Sequence, residues 1–289
     1  MTKFAGGQEF ASIDRLHRIP VEIERVFAIG DVHGRADLLR VLLAHIQEIA
    51  EDGRPTAVVF LGDLVDRGPN SSRVLDLVLR TFDALPASVL CLGNHDDWFR
   101  RFLLGDPAMA EDLEMWLAQG GEETLASYDT GSLSLADQRQ SILAHSAEHL
   151  ELMNRAAMLA LWDPFAFVHA GIEPSQSLQH QTPRSCLWIR SPFLLHVGAL
   201  EAIVVHGHSP QTPPRPHITE NRISMDTGAF FSHVLTAAEI DRTSRTVRFV
   251  SPFKDGRIQP LDPVLLDRGQ GCVLKRRADG GFDISRQLI

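Results

Sequence analysis

Five short apolar runs, each followed at once by a glycine-bearing polar cluster, constrain this chain more than any other feature of its sequence. The runs are Arg25 to Ile29 (RVFAI), Ala57 to Leu61 (AVVFL), Ser88 to Leu92 (SVLCL), Phe165 to Val168 (FAFV) and Ala202 to Val205 (AIVV). The clusters that follow them are GDVHG, GDLVDRG, GNHDD, HAG and HGHSP. Runs of this length and β-branched content read as buried strands. Their polar sequels then sit at the C-terminal ends of strands, the edge of an open α/β sheet where loops converge and ligands bind.

Between the first two runs, Leu38, Leu39, Leu42, Leu43, Ile46 and Ile49 recur at helical spacing and predict an amphipathic crossover helix. Asn70, a favoured N-cap residue, precedes a second helix with Val74, Leu75, Val78 and Leu79 on one side, so the chain starts as βαβ units. From about Asp97 to Leu161 it turns helical, with Trp98, Phe102, Leu113, Trp116 and Leu117 as apolar anchors interrupted by Gly120 and Gly121. That stretch reads as an insertion beside the polar loops. Beyond Arg222, the segments RISMD, VLTAAEI and TVRFV suggest a closing set of antiparallel strands. The expected organisation is one domain over 1–289, with a core at about 25–250, a lead-in of two dozen residues, and an appendage at 251–289.

Hydrophobic residues at 44% and charged residues at 22% are ordinary for a folded globular protein and exclude a disordered chain. No run approaches the ~20 apolar residues of a spanning helix, and MTKFAGGQEF lacks the basic start and apolar stretch of a secretory signal, so a cytoplasmic location is expected. A net charge of −9 disfavours a nucleic-acid partner, because phosphate-backbone affinity needs clustered Lys and Arg. Cys91, Cys186 and Cys272 are odd in number and lack CxxC spacing, which argues against disulfides and thiolate metal sites.

Asp31 and His33, two apart on a glycine-bounded turn, have metal-ligand spacing. Asp63, Asn94, His169 and His208 add a carboxylate, an amide oxygen and two imidazoles at equivalent strand exits. The mixed oxygen and nitrogen set suits manganese, iron or zinc better than calcium, and Asp63 is the choice for a carboxylate shared by two ions. Taken singly, GDxHG reads as a tight turn and HAG as a core histidine. Sheet packing alone gives no reason for all five strand exits to carry metal-competent residues.

In this order GDVHG, GDLVDRG, GNHD, HAG and GHSP resemble the metallophosphoesterase signature, in its PPP protein-phosphatase branch. The resemblance spans about Arg25 to Thr236 and extends to LWIR at Leu187 to Arg190 and to MDTGAFF near Asp226, which are similar to bacterial and phage protein phosphatases. It implies a four-layer α/β/β/α sandwich and two divalent metal ions, manganese foremost. Asp31, His33 and Asp63 would hold one ion, and Asp63, Asn94, His169 and His208 the other. By the same resemblance His95 is a general acid, Asp66 its orienting carboxylate, and Arg67 and Arg190 a clamp on phosphoryl oxygens. The competing structural readings are a local Asp66–Arg67 ion pair and an Arg190 at the surface beside a core Trp188. His206 receives no role, and Asp226 reads as a turn or supporting residue.

The pattern departs from the eukaryotic PPP enzymes in having Asp96 where Glu is customary and Ala170 where Gly is customary, and it lacks their long C-terminal loops. No regulatory subunit is therefore implied. Symmetrical diadenosine tetraphosphatases share GNHD and HAG but commonly carry Ala where Asp66 stands. The implied function is a phosphomonoesterase acting on a phosphorylated protein at Ser or Thr, with Tyr or dual specificity left open. The alternative is a symmetrical bis(5'-nucleosyl)-tetraphosphatase or another small-molecule phosphohydrolase.

Overall fold

A computed structural model describes residues 15–131, 133–253 and 256–285, so most of the expected lead-in lies outside the described residues. The strands of the first half are β1 (Leu16–Arg18), β2 (Arg25–Ile29), β3 (Thr56–Phe60), β4 (Val89–Leu90), β5 (Leu159–Trp162) and β6 (Phe165–Val168). They continue as β7 (Ile203–His206), β8 (His217–Ile218), β9 (Arg222–Ser224), β10 (Ala237–Asp241) and β11 (Thr246–Pro252). The last four are β12 (Ile258–Pro260), β13 (Val264–Leu265), β14 (Leu274–Arg276) and β15 (Phe282–Ile284). One sheet has the order β14-β15-β11-β10-β2-β3-β4 with β12 added on β11, and the other β1-β5-β6-β7-β9-β8-β13.

Successive strand residues point to opposite faces, and the sequence uses this to make two cores. Val26, Ala28, Val59, Phe165, Phe167 and Val205 are buried between the sheets. Phe27, Ile29, Val58 and Phe60 face the other way and join a cluster with Leu39, Leu42 and Ile46 of α1 (Ala36–Ala50) and Val74 and Val78 of α2 (Ser71–Ala84). Outward-facing Val168 and Val204 of the second sheet share that cluster with Leu187 and Phe193. The architecture is the expected α/β/β/α sandwich.

Helices α3 (Asn94–Leu104), α4 (Met109–Trp116), α5 (Glu122–Ala126), α6 (Leu135–His145) and α7 (Ala147–Arg155) make up the helical stretch, with a π-turn at Leu117–Gly121. It therefore begins on the GNHD motif itself and ends at Arg155. Leu159–Trp162 is a strand, paired antiparallel with β6 and parallel with β1. The later helices are α8 (Pro183–Trp188), α9 (Ser191–Leu194) and α10 (Ala229–Ser232). Asn70 occupies the N-cap of α2, but its side chain makes no capping bond.

Two expectations about the end of the chain change. β10 and β11 are antiparallel as anticipated, but β9 lies in the other sheet, parallel to β7. The residues between β9 and β10 cross from one sheet to the other, which a short alternating pattern cannot reveal. Beyond residue 251 the strands are built into both sheets, β14 and β15 beside β11 and β13 beside β8.

At the sheet end remote from the polar loops, Arg54 donates to Asp241 at 2.7 Å and to Glu24 at 3.2 Å. Burial alone would raise the Asp241 carboxyl, but its bonds from Arg54 and Ser244 hold it down at about 2. A folded-state value below the unfolded ~3.9 gives stability that is present above pH ~4 and lost as the pH falls toward ~2. Asp241→Asn should therefore cost about 1–2 kcal/mol near neutrality, discounted because Arg54 is part-exposed, and progressively less below pH ~4. Urea unfolding of both proteins across that range checks it.

Candidate metal centre

The polar clusters meet because their loops are tied to one another through the backbone. The amides of Val32 and His33 donate to the Asp63 carbonyl at 3.1 and 2.9 Å, Gly34 donates to Leu64 at 2.9 Å, and Gly207 to the His169 carbonyl at 2.8 Å. Eight non-glycine residues have positive φ among the described residues, and five of them are His33, Asp63, Asp66, Arg67 and His208. Such residues cost of order 1–3 kcal/mol each and persist where surrounding structure over-determines them. Backbone strain is thus concentrated in the loops that the sequence marked.

Asp63 stands at the centre. Its Oδ2 lies 3.4 Å from His33 Nε2, and its Oδ1 lies 3.4 Å from His169 Nε2. His33, Asp63 and His95 form one group of potential ligand atoms within 4.8 Å of one another, and Asp63, His169 and His208 form a second. The nitrogens that face Asp63 carry lone pairs and no proton. His33 Nδ1 donates to the Val65 carbonyl and His169 Nδ1 to the Leu61 carbonyl, both at 2.8 Å, which leaves each neutral ring's lone pair on Nε2. Burial lowers both imidazoles and favours that neutral form.

His169 Nε2 also lies 3.0 Å from Asn94 Oδ1 and 3.2 Å from His208 Nδ1, while His208 Nε2 is buried without a hydrogen-bond partner. Burial, and then the His169 ring, push the His208 imidazole down to about 2. Lone pairs converging at this spacing in a buried site repel one another, and a divalent cation turns that repulsion into ligation. The residues present therefore fit a metal centre. Asp31 belongs to neither of the two groups. Its carboxylate accepts the His208 amide at 3.0 and 3.1 Å, and burial together with Asp226 and Asp63 pushes its carboxyl well up. A buried carboxyl destabilised in its charged form by other carboxyls is what a cation would relieve.

His95 lies in the first turn of α3, and its Nδ1 donates to Asp66 Oδ2 at 2.7 Å. Burial opposes its charged form, but the Asp63 and Asp66 carboxylates outweigh burial and raise the imidazole above its ordinary value. Its Nε2 faces the centre and accepts from Arg67 Nη2 at 3.0 Å, and Arg67 Nη1 donates to His33 Nε2 at 2.9 Å. Arg67 thus spends its guanidinium on the two histidines, and no Asp66–Arg67 ion pair forms.

Residues 24–234 match the profile of the calcineurin-like phosphoesterases. The chain belongs to this family. Among curated proteins it is 28% identical over 259 residues to the asymmetrical bis(5'-nucleosyl)-tetraphosphatase PrpE of Anoxybacillus flavithermus, covering 81% of this chain and 98% of that protein. A solved structure described as a putative diadenosine tetraphosphatase matches with TM-score 0.54 and 20% identity over 85% of this chain and 96% of the other. A cold-active protein tyrosine phosphatase matches with TM-score 0.53 and 16% identity, over 87% and 81%. At these identities the two structures speak for the fold.

Several residues of this calcineurin-like phosphoesterase were placed less well by sequence. Arg190 is exposed, yet its guanidinium reaches Ser209 Oγ at 3.4 Å and the His208 carbonyl at 3.3 Å, which keeps it at the centre's edge. Trp188, read as a core residue, is 41% exposed and packs edge-on against Trp98 and His208. Opposite in sequence but at the same centre, Phe230 lies under the Arg67 guanidinium and edge-on to His33, with exposed Phe231 packed on it. His206 is buried in β7 with Nδ1 donating to the Gly207 carbonyl and Nε2 accepting from Ser224 Oγ, and burial pushes it down to about 3. It is a neutral core histidine.

Asp96 has a part that sequence reading did not assign. Its Oδ1 accepts from the amides of Leu64 and Val65 and its Oδ2 from Gly93, so one buried carboxylate staples the GDLVD loop to the GNHD loop. Gly93 must be small because a Cβ there would fall 2.1 Å from the Asp63 nitrogen and 2.3 Å from Asp63 Oδ1. An acidic residue at the third helical position was the available signal, since such residues commonly bond back to the N-cap amide.

Proposed function

We propose that this protein is a dinuclear phosphomonoesterase, with a phosphorylated protein side chain as its first substrate class. The observation that carries the reading is the two-sided Asp63 carboxylate, facing His33 with one oxygen and His169 with the other, beside the His95–Asp66 pair. Asp31, His33 and Asp63 would hold one divalent ion and Asp63, Asn94, His169 and His208 the second, manganese foremost. When bound, such ions lower the pKa of water enough to supply a nucleophile near neutrality and polarise the phosphoryl oxygens.

The protein's own groups do the rest. A substrate phosphate would take over the Arg67 N–H groups now spent on His33 and His95, and Arg190 would close on it from the rim. That releases His95 Nε2 to hold a proton, while Nδ1–H stays on Asp66 and fixes the ring's orientation. As the P–O bond breaks, Nε2–H protonates the departing alkoxide, leaving an alcohol and inorganic phosphate.

A second reading is favoured by a specific observation. Trp188, 41% exposed, packs on His208, whose carbonyl takes Arg190, and Phe231, 56% exposed, packs on the Phe230 ring under Arg67, so planar groups next to a phosphate could stack at this rim. Together with the similarity to a bis(5'-nucleosyl)-tetraphosphatase, this supports a dinucleotide polyphosphate. A manganese-supplemented panel of phosphoseryl, phosphothreonyl and phosphotyrosyl peptides against diadenosine tetraphosphate separates the two. Higher kcat/KM on the peptides is the expected ranking. The reverse ranking overturns the phosphoprotein reading, and the product pair, ATP with AMP or two ADP, then tells asymmetrical from symmetrical cleavage.

A further inference from the structure

Beyond α3, the helical stretch touches the Asp66–Arg67 turn through residues spaced four apart, Trp116, Gly120 and Thr124. Trp116 Nε1 donates to the Asp66 carboxylate at 3.0 and 3.3 Å, and Thr124 Oγ1 donates to Asp66 Oδ1 at 2.6 Å while accepting the Asp66 amide at 2.8 Å. Between them the Gly120 carbonyl accepts the Arg67 amide at 3.4 Å. Gly120 has φ 112°, and a Cβ there would lie 2.1 Å from the Arg67 nitrogen, so the two backbones meet where only glycine fits. Trp116, Asp66 and Thr124 are all fully buried.

These contacts fall on two successive residues in the left-handed region, Asp66 at φ 70° and Arg67 at φ 67°. That conformation needs an outside hold. A threonine hydroxyl has one proton to give, and Thr124 gives it to Asp66, so the Ser71 hydroxyl 3.0 Å away must donate to Thr124 while it too accepts the Asp66 amide. The stretch is itself anchored to α2, where Ser72 bonds Ser127 through both its amide and its hydroxyl. Asp66 has two carboxylate oxygens and three side-chain donors, His95, Trp116 and Thr124. Two of the three, Trp116 and Thr124, come from the part of the helical stretch beyond α3.

The geometry points to residues 109–126 as a clamp on the Asp66–Arg67 turn, with Trp116 and Thr124 as positioning residues that hold Asp66 for His95. The inference rests on the reading of His95 as general acid. Thr124→Val keeps the shape and loses both bonds, Thr124→Ser keeps both, and Trp116→Phe removes only the indole donor with part of its ring.

The test compares phenyl phosphate, a poor leaving group, with 4-nitrophenyl phosphate, a good one, in the metal-loaded enzyme, alongside His95→Asn. Thr124→Val is expected to lower kcat on phenyl phosphate by about 10-fold or more, the usual scale for loss of a supporting hydrogen bond at a metal site. The nitrophenyl ester should lose much less, KM should hold, and Thr124→Ser should recover most of the rate. If His95→Asn discriminates between the esters and Thr124→Val does not, the clamp is refuted while the general acid stands.

A second readout is independent of catalysis. In metal-free protein the His95 Nδ1 proton should give a far-downfield NMR signal, identified by its absence in His95→Asn. It should shift or vanish in Thr124→Val and Trp116→Phe and persist in Thr124→Ser. An unchanged signal in both of the first two variants overturns the positioning role even if His95 proves to have no part in the chemistry. Should Thr124→Val fail to fold, Trp116→Phe and Thr124→Ser carry the same comparison.

Discussion

Asp63→Asn is expected to lower kcat/KM for any phosphoester by ~10³-fold or more and to reduce bound metal below two ions per chain, with the fold intact. Asp63 is the one side chain common to both groups of ligand atoms. Burial raises its carboxyl, but the imidazoles of His169, His95, His33 and His208 outweigh burial and hold it below the usual carboxylate range. The variant keeps the shape and replaces one anionic oxygen by an amide donor. That N–H would face the unprotonated Nε2 of His33 or His169, so it would compete by hydrogen bonding for a lone pair that a cation should take.

The change also removes a buried negative charge that now pushes up the carboxyls of Asp31, Asp96 and Asp226. It keeps a side-chain oxygen able to accept the His95 amide, which now bonds Asp63 Oδ1 at 3.0 Å, so the metal-free variant should still unfold in one cooperative transition. That separates loss of a ligand from loss of the fold. Metal analysis by mass spectrometry, with kcat/KM on 4-nitrophenyl phosphate and thermal melts of both metal-free proteins, decides it. Two ions per chain with full activity would remove Asp63 from the bridge.

The centre was legible in the sequence because each of its residues sits within a few positions of the end of a buried strand, and strands announce themselves locally. His33, Asp63, Asn94, His169 and His208 could be named because RVFAI, AVVFL, SVLCL, FAFV and AIVV could be recognised one at a time. What escaped was choice of partner at long range. Nothing in RIS says that β9 pairs with β7 and not β10, and nothing in LALW separates a strand from the helices before it. Trp116 read as an apolar anchor because an indole counts as apolar in a sequence pattern, and its N–H is aimed at Asp66 by tertiary packing across 50 residues. Trp188 read as core for the same reason and is half out in solvent. Polar donors on apolar side chains are the class of functional contact that hydrophobic patterning hides.

His95→Asn should leave metal content near wild type and lower turnover of an alkyl phosphate by ~10²-fold or more, the ordinary scale for losing a general acid. Metal content matters because His95 also falls in the group with His33 and Asp63, within 4.8 Å of both, so the geometry alone admits it as a ligand. Its hydrogen bonds argue for the acid. Nδ1 is committed to Asp66 at 2.7 Å, and Nε2 meets Arg67 at 3.0 Å, the guanidinium that a phosphate would engage. A proton on Nε2 would then stand next to the bound phosphoryl group, within reach of the leaving oxygen. A nitrophenolate needs little protonation to depart, so the nitrophenyl ester should lose far less than the alkyl ester, and the ratio of the two losses measures proton delivery with binding divided out. A parallel loss of rate on both esters together with loss of an ion would make His95 a ligand. An unchanged rate on both would remove it from the mechanism.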